Sequence, residues 1–590
     1  MELLPPPAPP ETPPPNPVGR FEGLSPDKLR GGYYTDRALT AWLCQWAIRG
    51  PDERVLEPSC GAGAFAQAAA EQLVALGAAP AAAASQLVAV EISDEEARAT
   101  VCVLRPYLGQ AASKAVVTSD FFAWWDAPER PVFDAVVGNP PFIRYQSFPE
   151  PHRTRAMHLM ARLGLKPNRL TNIWVPFVAA AAAALRPGGR LALVLPAELL
   201  QVTYAAQLRS FLTDRFARLD IVACNELFFD GAEQEVVLLL ADGALARASE
   251  TNACRVTMTE AQTVGEITGR APAVVLANAQ PKAIQHDSEK WLKYFLSARE
   301  IAFMRELRGA PSVAPLSAHG AVDVGVVTGK NEFFVLSRDQ VRALGLDGHT
   351  TPLVSRSAQL RGARLTEADW QRLDAAGDRV HLLHLRPMNG TPPNAALGAY
   401  IAAGEGRGVH RGYKCSIRKP WYAVPSVWTP DGFLFRQIYD FPRLVHNRAG
   451  ATSTDTIHRF RAAGDPAATI VNTYTYLTAA SAEIEGRSYG GGVLELEPTE
   501  AERLLVPATL GEGLPLDDCD RLVTAGRLDA VLEEHSRLLL QQHLGLSSGD
   551  CALLRGIWVR MRDRRMARRR SPRAVAAAEA AVGAGTESAA

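Results

Sequence analysis

Of 590 residues only eight are cysteines, and they lie without paired spacing. That excludes a disulfide-stapled fold, argues against a structural zinc site, and points to a reducing compartment. No charge-free apolar run reaches the length of a membrane span, and Met1-Glu2-Leu3-Leu4 followed by prolines does not read as a signal peptide. A soluble, cytoplasmic protein is the expectation. Net charge is missing too: 63 Lys and Arg balance 63 Asp and Glu, so any nucleic-acid surface has to be a local patch. Lysine is scarce while alanine and arginine are plentiful, as GC-rich coding produces. There is no internal repeat, no GxGxxG dinucleotide fingerprint and no Lys-Ser/Thr phosphate loop.

What is present is ordinary globular composition, 47% hydrophobic and 21% charged, in a chain long enough for two or three domains. Residues 1–19 are proline-rich and read as a disordered lead. Apolar runs then alternate with helical stretches. Strands are expected at 54–57, 87–92, 115–118, 133–137, 190–195, 219–223 and 235–241, with helices such as 65–76 and 174–185 between them. This βα order predicts an α/β fold: an open, mostly parallel sheet with helices on both faces, over 20–245. Residues 246–297 read as a connector, and 298–507 as a separate mixed domain of short strands, prolines and glycines. Residues 508–573 read as a helical segment with an arginine-dense end (555–573), and 574–590 as a disordered tail.

Asn139-Pro140-Pro141-Phe142 follows the apolar run Phe133–Gly138 and is the most informative string in the chain. It sets an amide, a proline-stiffened turn and an aromatic ring at a strand end, which suits holding a planar nitrogen while a ring stacks beneath it. Upstream, Glu57-Pro58-Ser59-Cys60-Gly61-Ala62-Gly63 joins a strand to a helix. Small residues let a ligand approach the backbone, and the helix start offers free N–H groups. Glu57 would repel a pyrophosphate and suits a cationic ligand instead. The second strand ends in Glu91, followed by Ile92, where such sheets hold a ribose diol. The third ends in Asp120-Phe121, an acid and a ring suited to an adenine.

This layout resembles the S-adenosylmethionine-dependent DNA adenine-N6 methyltransferases that carry the cofactor half first and the recognition domain last, as in type II restriction-modification. The resemblance runs from Gly31-Gly32-Tyr33-Tyr34-Thr35 to about Pro507. It implies a Rossmann-like class I methyltransferase sheet followed by a mixed α+β target-recognition domain. Tyr34 and Thr35 then belong to the first cofactor element; Asp36 departs from the proline common in relatives. Glu57, Pro58, Gly61 and Gly63 hold the methionine end, Glu91 with Ile92 the ribose, and Asp120 with Phe121 the adenine.

Chemically, Asn139 and the Pro140 carbonyl suit the two N6 hydrogens of an adenine, and no covalent intermediate is needed. The target base has to leave the duplex. Phe142 is the expected stacking platform, and Phe229 the second ring, with Phe228 competing and core packing open for both. Arg144 is either a phosphate contact or a surface arginine. Three further strings resemble the recognition domain: 324–334 with Thr328, Lys330 and Asn331; 441–448 with Arg448; and 485–496 with Arg487, Ser488 and Tyr489. Arg356, Arg361, Arg411, Lys414, Arg418 and Lys419 lie between them, favouring a DNA-facing cleft. The arginine-dense end is either extra phosphate affinity or a solvated tail.

The implied partner is double-stranded DNA, with a separate restriction or defence subunit open, since no Asp…Glu-x-Lys nuclease core stands out. Two alternatives remain at this level. One is a methyltransferase acting on protein glutamine or RNA, the other a DNA-binding specificity component without catalysis.

Overall fold

The computed structural model describes residues 35–567 apart from 129–130, 167, 169–170, 227, 229–234, 247–253, 287 and 386–394. The proline-rich lead, Tyr34, Phe229 and the residues from 568 onward lie outside the described residues.

Eight strands form the principal sheet: β1 (Val55–Glu57), β2 (Leu87–Glu91), β3 (Val116–Thr118), β4 (Phe133–Gly138), β5 (Leu185–Pro196), β6 (Phe216–Cys224), β7 (Val236–Ala244) and β8 (Arg255–Ala261). Their spatial order is β3-β2-β1-β4-β5-β7-β6-β8. Pairing is parallel except at β7, which runs antiparallel to both β5 and β6. The strand order reverses between β1 and β4, so a crevice opens beyond the carboxyl ends of these strands, the usual ligand position in such sheets.

The strands are apolar on both faces because helices cover both. Leu56, Val136, Leu191 and Leu193 join one core cluster, while their neighbours Val55, Ala135, Val137 and Ala192 join the other. This is the alternation a pleated strand requires. Helix Asp94–Leu108 starts where Ser93 accepts the Glu96 N–H, and three acidic residues occupy its first turn, where the helix dipole favours them.

Two expectations about segment boundaries need correcting. The sheet does not stop near 245: β8 pairs in parallel with β6 across seven residues of the expected connector. Its sequence, Arg-Val-Thr-Met-Thr-Glu-Ala, is that of a half-exposed edge strand and lacks a continuous apolar run. The arginine-dense end is also no solvated tail as far as it is described. Helix Ser548–Met566 buries Cys551, Leu554, Ile557, Trp558 and Met561 as one stripe.

Residues beyond β8 form several small sheets with helices between them. The largest has the order Gly320–Asp323, Ile457–Ala462, Gly432–Phe435, Leu444–Arg448, Arg364–Thr366. The first core cluster continues from the principal sheet into this region through Trp291, Phe433, Tyr474 and Trp558. The two halves therefore share apolar packing. Among the described residues, no helix is long and apolar enough to cross a membrane.

Candidate cofactor and catalytic site

A cavity of about 420 Å³ lies at the switch point, and ten of the expected residues line it: Thr35, Glu57, Pro58, Gly61, Glu91, Ile92, Asp120, Phe121, Asn139 and Pro141. They come from the ends of four strands and from the segment before helix Arg37–Ala47. The topology thus gathers positions spread over more than a hundred residues.

Glu57, the last residue of β1, is almost wholly buried, and its Oε2 has no hydrogen-bond partner among the described residues. Burial pushes its carboxyl well above the ordinary range, and the nearby Glu91 charge adds to this, while the Ala66 backbone N–H offsets part. An unpartnered buried acid facing a cavity fits a cationic ligand, which would restore its ionised form. Glu91 is held differently. Its Oε2 accepts the Gly61 N–H and its Oε1 the Ser93 N–H, each at 2.9 Å. The carboxylate is therefore fixed by backbone donors, with lone pairs left for a diol.

The glycine turn is braced from behind. Gly61 (φ +51°) and Gly63 (φ +93°) occupy the left-handed region. Buried Thr100, on helix Asp94–Leu108, donates to the Gly61 carbonyl at 2.7 Å. Gly63 does not line the cavity; a Cβ there would meet Thr100 Oγ1 at 2.9 Å. Its part is close packing of the loop against that helix.

Asp120 accepts the Ala123 N–H at the start of helix Phe121–Trp125 and lies 3.3 Å from Arg155 and 3.2 Å from His152 Nδ1. Phe121 stacks on Phe177 with centroids 5.0 Å apart and planes 13° from parallel. Phe148, His152 and Phe177 also line the cavity and carry no motif that would mark them. The one sequence signal is Phe177, an aromatic inside the alanine-rich helix Trp174–Ala183.

At the end of β4, Asn139 donates from Nδ2 to Thr35 Oγ1 at 3.3 Å, and its carbonyl lies 3.5 Å from the Ser59 hydroxyl. The Asn139 turn is thereby tied both to the segment before helix Arg37–Ala47 and to the turn after β1. Pro140 is buried, and Phe142 is half-buried against both core clusters without lining the cavity. Phe228 is a buried core residue.

The residues present fit S-adenosylmethionine by their donor set: an acid for the ammonium, a fixed carboxylate for the ribose, and an acid with stacked rings for the adenine. Comparison with known proteins places the chain. Residues 94–228 match the family model described as Eco57I restriction-modification methylase. Residues 288–540 match the C-terminal domain of the Type II methyltransferase M.Eco57I. Together the two span about two thirds of the sequence.

The chain belongs to the Eco57I-type restriction-modification methylases.

Relatives of this methylase include the Type II methyltransferases M.AccI of Acinetobacter calcoaceticus, 20% identical over 80% of this chain and 84% of its own length, and M.XamI of Xanthomonas campestris pv. amaranthicola, 24% identical over 81% and 85%. Other curated matches are shorter, spanning about half the length of those proteins. Among solved structures, the Type IIL restriction-modification enzyme MmeI in complex with DNA is similar at a TM-score of 0.49 and 12% identity, over 90% of this chain and 72% of that one.

The expected DNA contacts of the methylase divide. Arg144 is exposed. Lys330 and Asn331 are exposed, with Lys330 paired to Glu332 at 2.8 Å. Arg448 is exposed and lies 3.8 Å from Asp517. Thr328, by contrast, is buried; its hydroxyl donates to the Asn331 side chain and accepts the Lys330 N–H, closing a turn.

The 485–496 string is largely a domain interface instead of a phosphate site. Gln201 exchanges two 2.7 Å hydrogen bonds with the Ser488 backbone, and Arg487 donates to buried Glu500 at 2.8 Å. Partly buried Lys290 reaches the same Glu500 at 3.0 Å. Arg487 is thus engaged by an internal carboxylate and the Ser488 backbone by Gln201. Tyr489 stays 38% exposed beside them.

Four arginines of helix Ser548–Met566 are likewise engaged by carboxylates of the fold, while Arg555 is exposed. Arg560 pairs with Glu300, Arg562 with Asp440, Arg564 with Glu260 and Glu235, and Arg565 with Glu483. Through Glu235 and Glu260 this helix is tied to the catalytic sheet, and through Glu300, Asp440 and Glu483 to the C-terminal half.

Proposed function

We propose that this methylase modifies adenine at N6 within a specific sequence of double-stranded DNA, as the modification component of a restriction-modification or phage-defence system in a bacterial cytoplasm. A separate restriction subunit is part of that reading. The observation that carries it is the convergence of Glu57, Glu91, Asp120 and Asn139 on one cavity, beside the Asn139–Phe142 turn.

S-adenosylmethionine, when bound, supplies the activated methyl group. The protein's work is orientation. An aromatic amino nitrogen is a poor nucleophile because its lone pair is delocalised into the ring. The Asn139 side-chain oxygen and the Pro140 carbonyl accept the two N6 hydrogens and favour a pyramidal nitrogen, whose lone pair then points toward the cofactor side of the site. Such positioning supplies much of the barrier reduction. Thr35 holds the other end of the Asn139 amide. The adenine reaches this turn by leaving the duplex, and Phe142 and Phe229 are its stacking partners.

Support for DNA as the substrate comes from the matched C-terminal domain and from relatives named Type II methyltransferases. A glutamine or RNA methyltransferase has no use for so large a second half.

The test is methyl transfer from labelled S-adenosylmethionine to unmodified DNA, followed by nucleoside analysis. N6-methyladenine with wild type, and none with a folded Asn139→Ala variant, is the expected result. Label in cytosine, in protein or in RNA alone would refute the proposal.

A further inference from the structure

The segment 407–419 carries Arg407, Arg411, Lys414, Arg418 and Lys419 with no acidic residue among them, in a chain where lysine is scarce. The structure makes it a short protrusion: a helical turn Val409–Arg411, then helix Tyr413–Ser416. Two large apolar side chains on it face water, Tyr413 at 68% and Ile417 at 63% exposure. Four residues apart on one helical turn, they rise on the same face. Arg411, Lys414 and Lys419 are exposed and have no carboxylate partner among the described residues, and Lys414 Nζ lies 5.6 Å from the Tyr413 ring centroid.

Two contacts mount the protrusion on the fold. Arg418 donates to the Thr328 and Val327 carbonyls at 2.8 and 2.6 Å. Gly329 (φ +86°) packs so tightly that a Cβ there would lie 2.9 Å from the Lys414 Cβ. A cavity of about 450 Å³ opens beside it, with Lys414, Ile417, Ser426 and Arg459 in its wall. Ser426 holds a left-handed backbone (φ +56°) while its carbonyl accepts from Arg459 at 2.6 Å. Strain at a non-glycine residue persists where surroundings over-determine it, and ligand clamps are a common place for that.

We infer that this finger is a DNA-reading element of the methylase, with Lys414, Arg411 and Lys419 on phosphates and Tyr413 and Ile417 pressed against base edges or steps. The inference rests on the DNA-modifying function proposed above and adds the segment that reads the duplex. Charge complementarity decides the occupant. Unneutralised cations around exposed apolar groups match a polyanion with a hydrophobic interior, and apolar wedges between cationic phosphate contacts are a recurrent means of gripping a duplex.

The test uses full-length protein and two labelled duplexes, one carrying the motif methylated in a host cell and one with that motif scrambled. Lys414→Ala is expected to weaken both duplexes alike and to lower the slope of log affinity against log salt by about 1, while Lys414→Arg retains the slope. Tyr413→Ala combined with Ile417→Ala is expected to cut the preference for the motif by roughly ten-fold or more, the scale of losing one base pair's discrimination. S-adenosylmethionine binding stays at the wild-type level in all of them. Wild-type discrimination with unchanged binding by every variant would overturn the finger and leave the DNA reading intact. A wild-type protein that binds neither duplex would overturn both.

Discussion

The side-chain amide of Asn139 donates to the Thr35 hydroxyl at 3.3 Å across 104 residues of sequence. This bond joins the segment before the first described helix to the turn at the end of β4, and it fixes which way the amide is turned. Thr35→Val keeps the shape and removes the acceptor. Loss of one such bond is worth about 1 kcal/mol or somewhat more, so a fall of about ten-fold in kcat is expected, with little change in KM for the cofactor. Thr35→Ser should restore most of it. Steady-state kinetics check this, and a change confined to KM would assign Thr35 to cofactor binding alone.

Buried Glu57 couples cofactor capture to protons. Without ligand its carboxyl is held well above the ordinary carboxylate range, first by burial and then by Glu91. A group with a raised pKa holds a proton that a cationic ligand displaces. Binding of S-adenosylmethionine should therefore release protons, and affinity should climb as pH rises toward the raised value. Calorimetry in two buffers of different ionisation enthalpy measures the release; Glu57→Gln should abolish it and weaken binding.

Arg565 and Glu483 form a pair that is almost wholly buried, with Arg565 also donating to the Tyr439 carbonyl at 3.0 Å. Removing one partner of a buried pair leaves an uncompensated charge and costs about 3–5 kcal/mol. Arg565→Ala should lower the denaturation midpoint accordingly. It should not alter the salt dependence of DNA binding in the surviving folded fraction. A change in salt slope without lost stability would mean that the arginines of this helix face DNA after all.

His535 is fully buried. Its Nδ1 bonds the Tyr474 carbonyl at 2.9 Å, and its Nε2 accepts the Leu514 N–H at 3.1 Å. Burial holds its pKa down to about 4. A depressed folded value means that the unfolded chain takes up the proton first as pH falls. The stability contributed is complete above the ordinary histidine value of about 6.5 and is lost between there and about 4, on the order of 3 kcal/mol in all. Chemical denaturation at pH 7.5 and at pH 5 should show the loss, and His535→Gln should flatten the difference.

Much of the site was legible because chemistry-bearing residues follow buried strands. β1, β2 and β4 are apolar runs, and the residue at the end of each faces the crevice. Glu57, Glu91 and Asn139 could therefore be placed from sequence. Phe148 and His152 could not, because they sit in a loop and at a helix start with no pattern of their own. β8 was missed because an edge strand exposes half of its residues and reads as polar connector. The stripe Cys551, Leu554, Trp558, Met561 at helical spacing runs into the arginine-dense end, where the density of charge hid it. Arg487 shows the limit of composition: a basic residue between glycines suits a phosphate, yet Glu500 lies 200 or more residues from Lys290 and only tertiary structure brings all three together.

Adenine-N6 methylation of DNA directed by the Asn139 turn is the reaction proposed for this protein. Expression in a methylation-free bacterial host, followed by single-molecule sequencing of the host DNA, tests it most directly. Modified adenine within one short motif is expected for wild type and none for Asn139→Ala. Unmodified DNA from a host producing folded, S-adenosylmethionine-binding protein, or modification of another base, would contradict it.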